Sequence, residues 1–162
     1  MIVVTDTSVI LNLCLLGFPQ VLPTIFGKVY APPAVRDEFL RLSKIDPRFL
    51  SLKFPDFIQI KAPIAIHSSL PHMRLHRGES EALSLAAEMN AERVLMDERA
   101  GRAAAAMIGL SCIGLLGILI EARRRELISE LAPMLSRLEI EAKFWLSPAL
   151  KIQVLQLAGE IP

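Results

Sequence analysis

Short β-branched runs along the chain alternate with stretches in which apolar residues return every three or four positions, and this alternation predicts strands and helices in turn. Ile2-Val3-Val4 is the first such run. It stops at Asp6-Thr7-Ser8, after which Val9, Ile10, Leu13 and Leu16 recur at helical spacing. The pattern predicts strand, polar turn and helix, with Thr7 or Ser8 as the N-cap and Gly17 as the stop. Residues 22–26 predict one more short helical piece. Val29-Tyr30-Ala31 predicts another strand, and Pro32-Pro33 opens a helix on which Val35, Phe39 and Leu42 share a face, proline being suited to a first helical turn.

The stretch from about residue 45 to 76 carries Pro47, Pro55, Pro63 and Pro71 and predicts irregular structure, with a strand at 58–61. Gly78-Glu79-Ser80-Glu81 then starts a strongly helical run that Asn90 can end. Val94-Leu95-Met96 predicts a strand closed by Asp97-Glu98, and a helix over 99–108 is broken at Gly109. Ser111-Cys112-Ile113 predicts the last strand, and Gly114 precedes a helix over 115–125. Two further helices are expected at 128–138 and 148–157, the second with Ser147 as N-cap and Pro148 at its first position. Strands alternating with helices predict a parallel sheet covered on both faces, a three-layer α/β/α sandwich. Residues 1–162 make one domain in this reading, with about 128–162 as a C-terminal helical extension.

Composition narrows the picture without changing it. A chain of 162 residues, 52% apolar and 22% charged, suits one globular core. With 18 Lys+Arg against 17 Asp+Glu the net charge is +1, so the whole-molecule field gives no general pull on nucleic acid and any such binding needs local patches. Cys14 and Cys112 each lie in apolar segments, so a structural disulfide is not expected. The apolar stretch 108–120 is interrupted by Gly and Ser and falls short of the roughly 20 residues of a membrane span. No cationic segment precedes the first apolar run, and Asp6 follows almost at once, which argues against a secretory signal and for a cytoplasmic protein.

The candidate chemistry is acidic. Ligands of open parallel sheets sit beyond the carboxyl ends of the strands, where strand order reverses. Asp6 and Asp97 each follow directly on an apolar strand. Glu79 and Glu81 lie in the first turn of their helix, where the dipole favours carboxylates, and Glu38 lies on the helix after the second strand. Acids gathered in one place repel unless a cation joins them. A cluster of this kind suits Mg²⁺ or Mn²⁺, hard ions that take oxygen ligands, and a bound ion can activate water and offset charge building on a phosphodiester. Singly, each acid also has an ordinary explanation as a helix-start, surface or capping residue.

Four pieces of the chain resemble, in order, the PIN-domain family of metal-dependent ribonucleases. They are Val4-Thr5-Asp6-Thr7-Ser8, Pro32-Pro33-Ala34-Val35-Arg36-Asp37-Glu38, Gly78-Glu79-Ser80-Glu81-Ala82 and Leu95-Met96-Asp97-Glu98-Arg99. The resemblance implies that Asp6, Glu38, Glu81 and Asp97 are the catalytic, metal-binding acids, with Thr7 or Ser8 near the first carboxylate. Glu79 stands as the alternative third acid, and Glu98 beside Asp97 leaves the fourth open, since many relatives carry Thr or Ser before the acid there. Gly-Glu-x-Glu-Ala, Asp-Glu and the following Gly101-Arg102 resemble one subgroup of the family. Many relatives are VapC-like toxins that form homodimers and are silenced by a small antitoxin, so the resemblance implies an RNA substrate and such partners.

Other features weigh less. Arg74, Arg77, Arg99 and Arg102 flank the acids in sequence and are candidate grips for RNA phosphates, whereas Arg123-Arg124-Arg125 ends a helix where cations are favoured anyway. His67, His72 and His76 fit no tetrahedral zinc spacing. Phe144 and Trp145 are read as core or dimer contacts before a base platform. A dinucleotide site would need a glycine-rich turn after the first strand, where Asp6-Thr7-Ser8 stands. A phosphatase with an aspartyl nucleophile would want an acid at Ser8. The alternative left open is a catalytically inactive module of the same fold that binds protein or RNA.

Overall fold

The computed structural model describes residues 1–162. The elements run β1 (Ile2–Thr5), α1 (Thr7–Leu16), α2 (Val21–Phe26), β2 (Lys28–Ala31), α3 (Pro33–Ile45), β3 (Gln59–Ile60), α4 (Arg77–Met89), β4 (Arg93–Leu95), α5 (Arg99–Met107), β5 (Cys112–Ile113), α6 (Leu115–Arg124), α7 (Ala132–Glu141) and α8 (Pro148–Leu157). All strand pairings are parallel, in the order β3-β2-β1-β4-β5. The chain therefore works outward from β1 to β3, then returns to the other side of β1 at β4. Strand order reverses between β1 and β4, whose register sets Thr5 beside Leu95. The Asp6 N–H extends that ladder by donating to the Leu95 carbonyl at 2.9 Å.

Side chains alternate across the sheet, and the two faces bury different sets. Val3, Val29, Ala31 and Leu95 enter the larger core with residues of α1, α2, α3, α6, α7 and α8. Val4, Val94 and Met96 enter a smaller core with residues of α4 and α5. The three expected layers follow from this division. Leu135 and Leu138 of α7 and Val154 of α8 belong to the larger core, so the C-terminal extension packs on the body of the fold. The irregular stretch before α4 is anchored by buried Phe49, Ile58 and Leu70, and Phe54 meets Phe39 of α3 edge to face at 5.2 Å. No helix is long and apolar enough to cross a membrane.

Three expectations need adjustment. The N-cap of α1 is Asp6, whose side chain accepts from the Val9 N–H, and Thr7 and Ser8 stand inside the helix. Helix α7 starts at Ala132 instead of 128: Pro133 holds its first turn, and the Glu160 carboxylate, far along the chain, accepts from the Leu131 and Ala132 N–H groups. That long-range cap leaves no local trace in the sequence. Strand β3 is only two residues long, because past Ile60 the chain meets Pro63 and leaves the sheet. Gly17 and Asn90 do terminate their helices in the left-handed region, and Ser147 caps α8 with Pro148 at its start.

Candidate active site

Asp6 is the centre of the site. Its backbone is extended, its side chain caps α1, and Oδ1 accepts from the Val9 N–H at 3.1 Å. The Ser8 hydroxyl lies 3.4 Å from both carboxylate oxygens. The side chain is nonetheless buried at the mouth of the reversal. Burial, with the charges of Asp97 and Glu79 adding to it, pushes the carboxyl up from 3.8 to about 8 against the pull of the Val9 and Ser8 hydrogen bonds.

Glu38 comes from α3, and the Thr7 hydroxyl donates to its Oε2 at 3.0 Å. The start of α4 passes close beside it: a Cβ at Gly78 would stand 3.3 Å from the same oxygen, so glycine lets the two helices approach. Glu79 follows on α4 and is buried. Its carboxyl is raised mainly by burial; the His76 charge and a backbone hydrogen bond oppose this, and the Glu98 and Glu38 charges add to it.

Glu81 lies two residues further on the same helix, about 200° around it, and faces elsewhere. Its carboxylate accepts from the Ala34 N–H at 3.3 Å and from Arg77 Nε at 3.0 Å, in a separate hollow bounded by Pro33 and Pro63. The structure thus brings Glu79, not Glu81, to the other acids. Ala82, Leu83 and Ala86, at three, four and seven residues beyond Glu79, are all buried; from Glu81 the same steps meet Ser84 and Leu85, which are also buried, and the exposed Glu88, so the spacing alone does not separate the two glutamates.

Asp97 follows β4 and bridges to α6. The N-cap position of α6 is Gly114, which has no side chain to offer, and Asp97 Oδ1 serves instead by accepting from the Leu115 N–H at 2.9 Å. Asp97 Oδ2 is buried with no hydrogen-bond partner. Burial raises this carboxyl too, the Leu115 hydrogen bond and the Arg102 charge lower it, and Glu98 raises it.

Asp6, Thr7, Ser8, Glu38, His76, Glu79 and Glu98 together line a hollow of about 170 Å³ with no apolar wall. It opens into a cleft of about 350 Å³ that shares Thr7, Ser8, Glu38 and Glu98 with it and adds Asp97. His76, which fits no zinc spacing in the sequence, joins the acids here; it stands at the N-cap of α4, a position legible only once the helix start is known. Of the four candidate arginines, Arg77 borders a neighbouring hollow with Arg41 and His76. Arg102 is held to the Met96 carbonyl at 3.2 Å, where Gly101 lets α5 lie against the Met96 side chain. Arg74 and Arg99 are exposed and line none of these hollows.

The donors fit a hard divalent cation. They are carboxylate and hydroxyl oxygens, three of the acids, Asp6, Glu79 and Asp97, are raised by burial and mutual repulsion, and one buried carboxylate oxygen lacks any partner. No three His, Cys, Asp or Glu side chains stand close enough to enclose an ion by themselves.

No curated protein matches the chain. Among solved structures, a PilT N-terminus domain protein from the hyperthermophilic archaeon Sulfolobus solfataricus P2 is similar at a TM-score of 0.52 and 19% identity, over 75% of this chain and 92% of that one. The likeness concerns the fold. The model of the DUF3368 family, described as a PIN domain, matches residues 2–160. With its acids gathered where a parallel sheet reverses its order, and with nearly its whole length matched, the chain belongs to the PIN-domain family.

Proposed function

We propose that the protein is a metal-dependent endoribonuclease whose working acids are Asp6, Glu38, Glu79 and Asp97. PIN domains are in general nucleases, and those nucleases typically use divalent metals. The observation that supports this reading best is the wholly polar hollow around Asp6, a buried acid that ordinary folding would leave out of such a place. Asp6, Glu38, Glu79 and Asp97 would hold Mg²⁺ or Mn²⁺, with Glu98 at the rim. When bound, the ion supplies an activated water and offsets charge developing on the phosphodiester.

The remaining work falls to the chain itself. Ser8 keeps a hydroxyl against both oxygens of Asp6, and Thr7 orients Glu38. The Leu115 N–H fixes one oxygen of Asp97 and leaves the other free to act. The direct test is cleavage of mixed structured RNA by purified protein in Mn²⁺, in Mg²⁺ and in EDTA, beside Asp6→Asn. Cutting that needs metal and Asp6 supports the reading; a folded protein that neither cuts nor binds Mn²⁺ overturns it. The second outcome would favour the inactive binding module.

The two glutamates of α4 separate catalysis from scaffold. Glu79→Gln is expected to lower cleavage by about 100-fold or more with little change in melting temperature. Glu81→Gln should leave cleavage within about threefold and lose about 1 kcal/mol as its bonds to Ala34 and Arg77 weaken. Equal losses of activity from both would sink the assignment of Glu79.

We further infer a toxin of a toxin-antitoxin pair, acting as a homodimer, from the resemblance to VapC-like members of the family. Induced expression should then arrest growth while Asp6→Asn does not. Growth unaffected by an enzyme that cuts RNA in the tube would remove the toxin role.

A further inference from the structure

The cleft beside the acidic hollow has a second wall, drawn from the connection between α7 and α8. Residues 142–146 are pinned at both ends, by buried Ala142 and Leu146, and Arg48 donates to the Ala142 carbonyl at 3.2 Å. Phe144 packs half-buried on the larger core. Lys143 and Trp145 alternate with these anchors and are turned outward. Trp145 leaves 80% of its surface in water, and Lys143 holds a left-handed backbone, φ 56°, that a side-chain-bearing residue adopts at some cost. The charge of Arg48 is answered by Asp46 at 2.7 Å, whereas Lys143 takes part in none of the ion pairs of the fold.

The floor between this wall and the acids is mixed. Leu11, Leu42 and Phe49 are apolar. Asn12, 7% exposed, commits Nδ2 to the Ser8 carbonyl at 3.0 Å and has no partner for Oδ1. A single cavity of about 350 Å³ thus runs from Asp97 and Glu98 to a free cation and a free indole.

We propose that this cleft is a nucleotide subsite for unpaired RNA, an inference that rests on the ribonuclease reading of the acids. The base next to the bond being cut stacks on Trp145, and its phosphate pairs with Lys143. Base stacking on an aromatic side chain needs an open base face, which a duplex keeps covered by its own neighbours. The subsite therefore selects single-stranded segments and gives the C-terminal extension a role in substrate choice.

Trp145 is the one tryptophan of the chain, so its emission reports the subsite directly. A mixed-sequence 16-nucleotide RNA without self-complementarity, titrated in EDTA where cutting is suspended, should quench that emission saturably, and the same strand annealed to its full complement should not. With a labelled strand, Trp145→Ala should raise Kd about tenfold, with Trp145→Phe intermediate. Lys143→Ala should lower the salt slope of log Kd by about 0.7, the loss of one phosphate contact. Both side chains are exposed, so circular dichroism of the variants should match the parent. Saturable quenching in a protein that never cuts RNA would end the nuclease reading and keep the subsite as a binding site. Unchanged emission, equal quenching by the duplex, or equal affinity of Trp145→Ala in a protein that does cut RNA would overturn the subsite alone.

Discussion

Asp6→Asn is expected to abolish metal-dependent cleavage while making the metal-free protein more stable at pH 8. The two effects have one cause. Asparagine is as good an N-cap as aspartate, so its side-chain oxygen can still accept from the Val9 N–H, but it carries no charge for a metal to meet. The folded carboxyl is raised to about 8 and the unfolded one titrates near 3.8. Below about pH 4 both states hold the proton and burial of Asp6 costs little. Between 4 and 8 the folded state binds more protons than the unfolded one, so stability falls as pH rises. Above about 8 the penalty is complete.

Each pH unit across that window costs about 1.4 kcal/mol. The asparagine must fit an amide where a carboxylate oxygen stood, so we expect a net gain of about 2 kcal/mol, or roughly 4–8 °C in Tm for a domain of this size. Thermal unfolding in EDTA at pH 5 and pH 8 would read it: the wild-type Tm should drop between the two by more than the variant's, in which only Glu79 and Asp97 remain as raised acids of the site. Mn²⁺ at pH 8 should then raise the wild-type Tm and not the variant's, because only the former gains by binding. A variant that loses cleavage and is also less stable at pH 8 would mean that the charge of Asp6 serves the fold.

Gly114→Ala is expected to lower cleavage about 100-fold without touching any acid. The backbone at Gly114 is extended, φ −90° and ψ 175°, a conformation alanine adopts freely, and such a substitution would ordinarily stabilise slightly. Here the added Cβ would lie 2.5 Å from Asp97 Oδ1 and 3.0 Å from Arg102 Nη1. Asp97 has to move, which breaks its bond to the Leu115 N–H and displaces an acid by an amount that catalysis does not tolerate. The crowding should cost about 1–3 kcal/mol. Removing the obstructed group in Asp97→Ala/Gly114→Ala should restore part of that stability and none of the cleavage. If Gly114→Ala cuts RNA at the parental rate, the position of Asp97 is immaterial to the reaction.

Particular residues mark how far the chain could be read before folding. Asp6 is legible as a candidate because it directly follows an apolar strand, at the end of a parallel sheet where ligands sit, although a helix cap alone would also place an aspartate there. Thr7 and Ser8 are caps as good as Asp6 on chemistry alone, and only the backbone chooses Asp6 among the three. Glu79 and Glu81 stand as alternatives in the sequence, since the positions three and four residues beyond each are small or apolar and buried. Both fall in the region a helix dipole favours, and which side of α4 meets the acids depends on the sheet it lies against. His76 has no metal-binding spacing in the sequence, a test blind to neighbours brought from the end of β1 and from α3.

The sequence by itself determined the strands and helices, the parallel class of the sheet and the positions of the acids along the chain, because hydrophobic period and the chemistry of helix ends are local properties. Tertiary structure decided which acids meet. Strand order set β4 beside β1 and so brought Asp97 to Asp6 across about 90 residues of chain. Packing of Ala82 and Leu83 against the sheet turned Glu79 inward and Glu81 away. It also decided that residues 142–146 close the second side of the cleft, which follows from α7 docking on α1. Burial and proximity are sums over elements far apart in sequence, and only the packed fold adds them up.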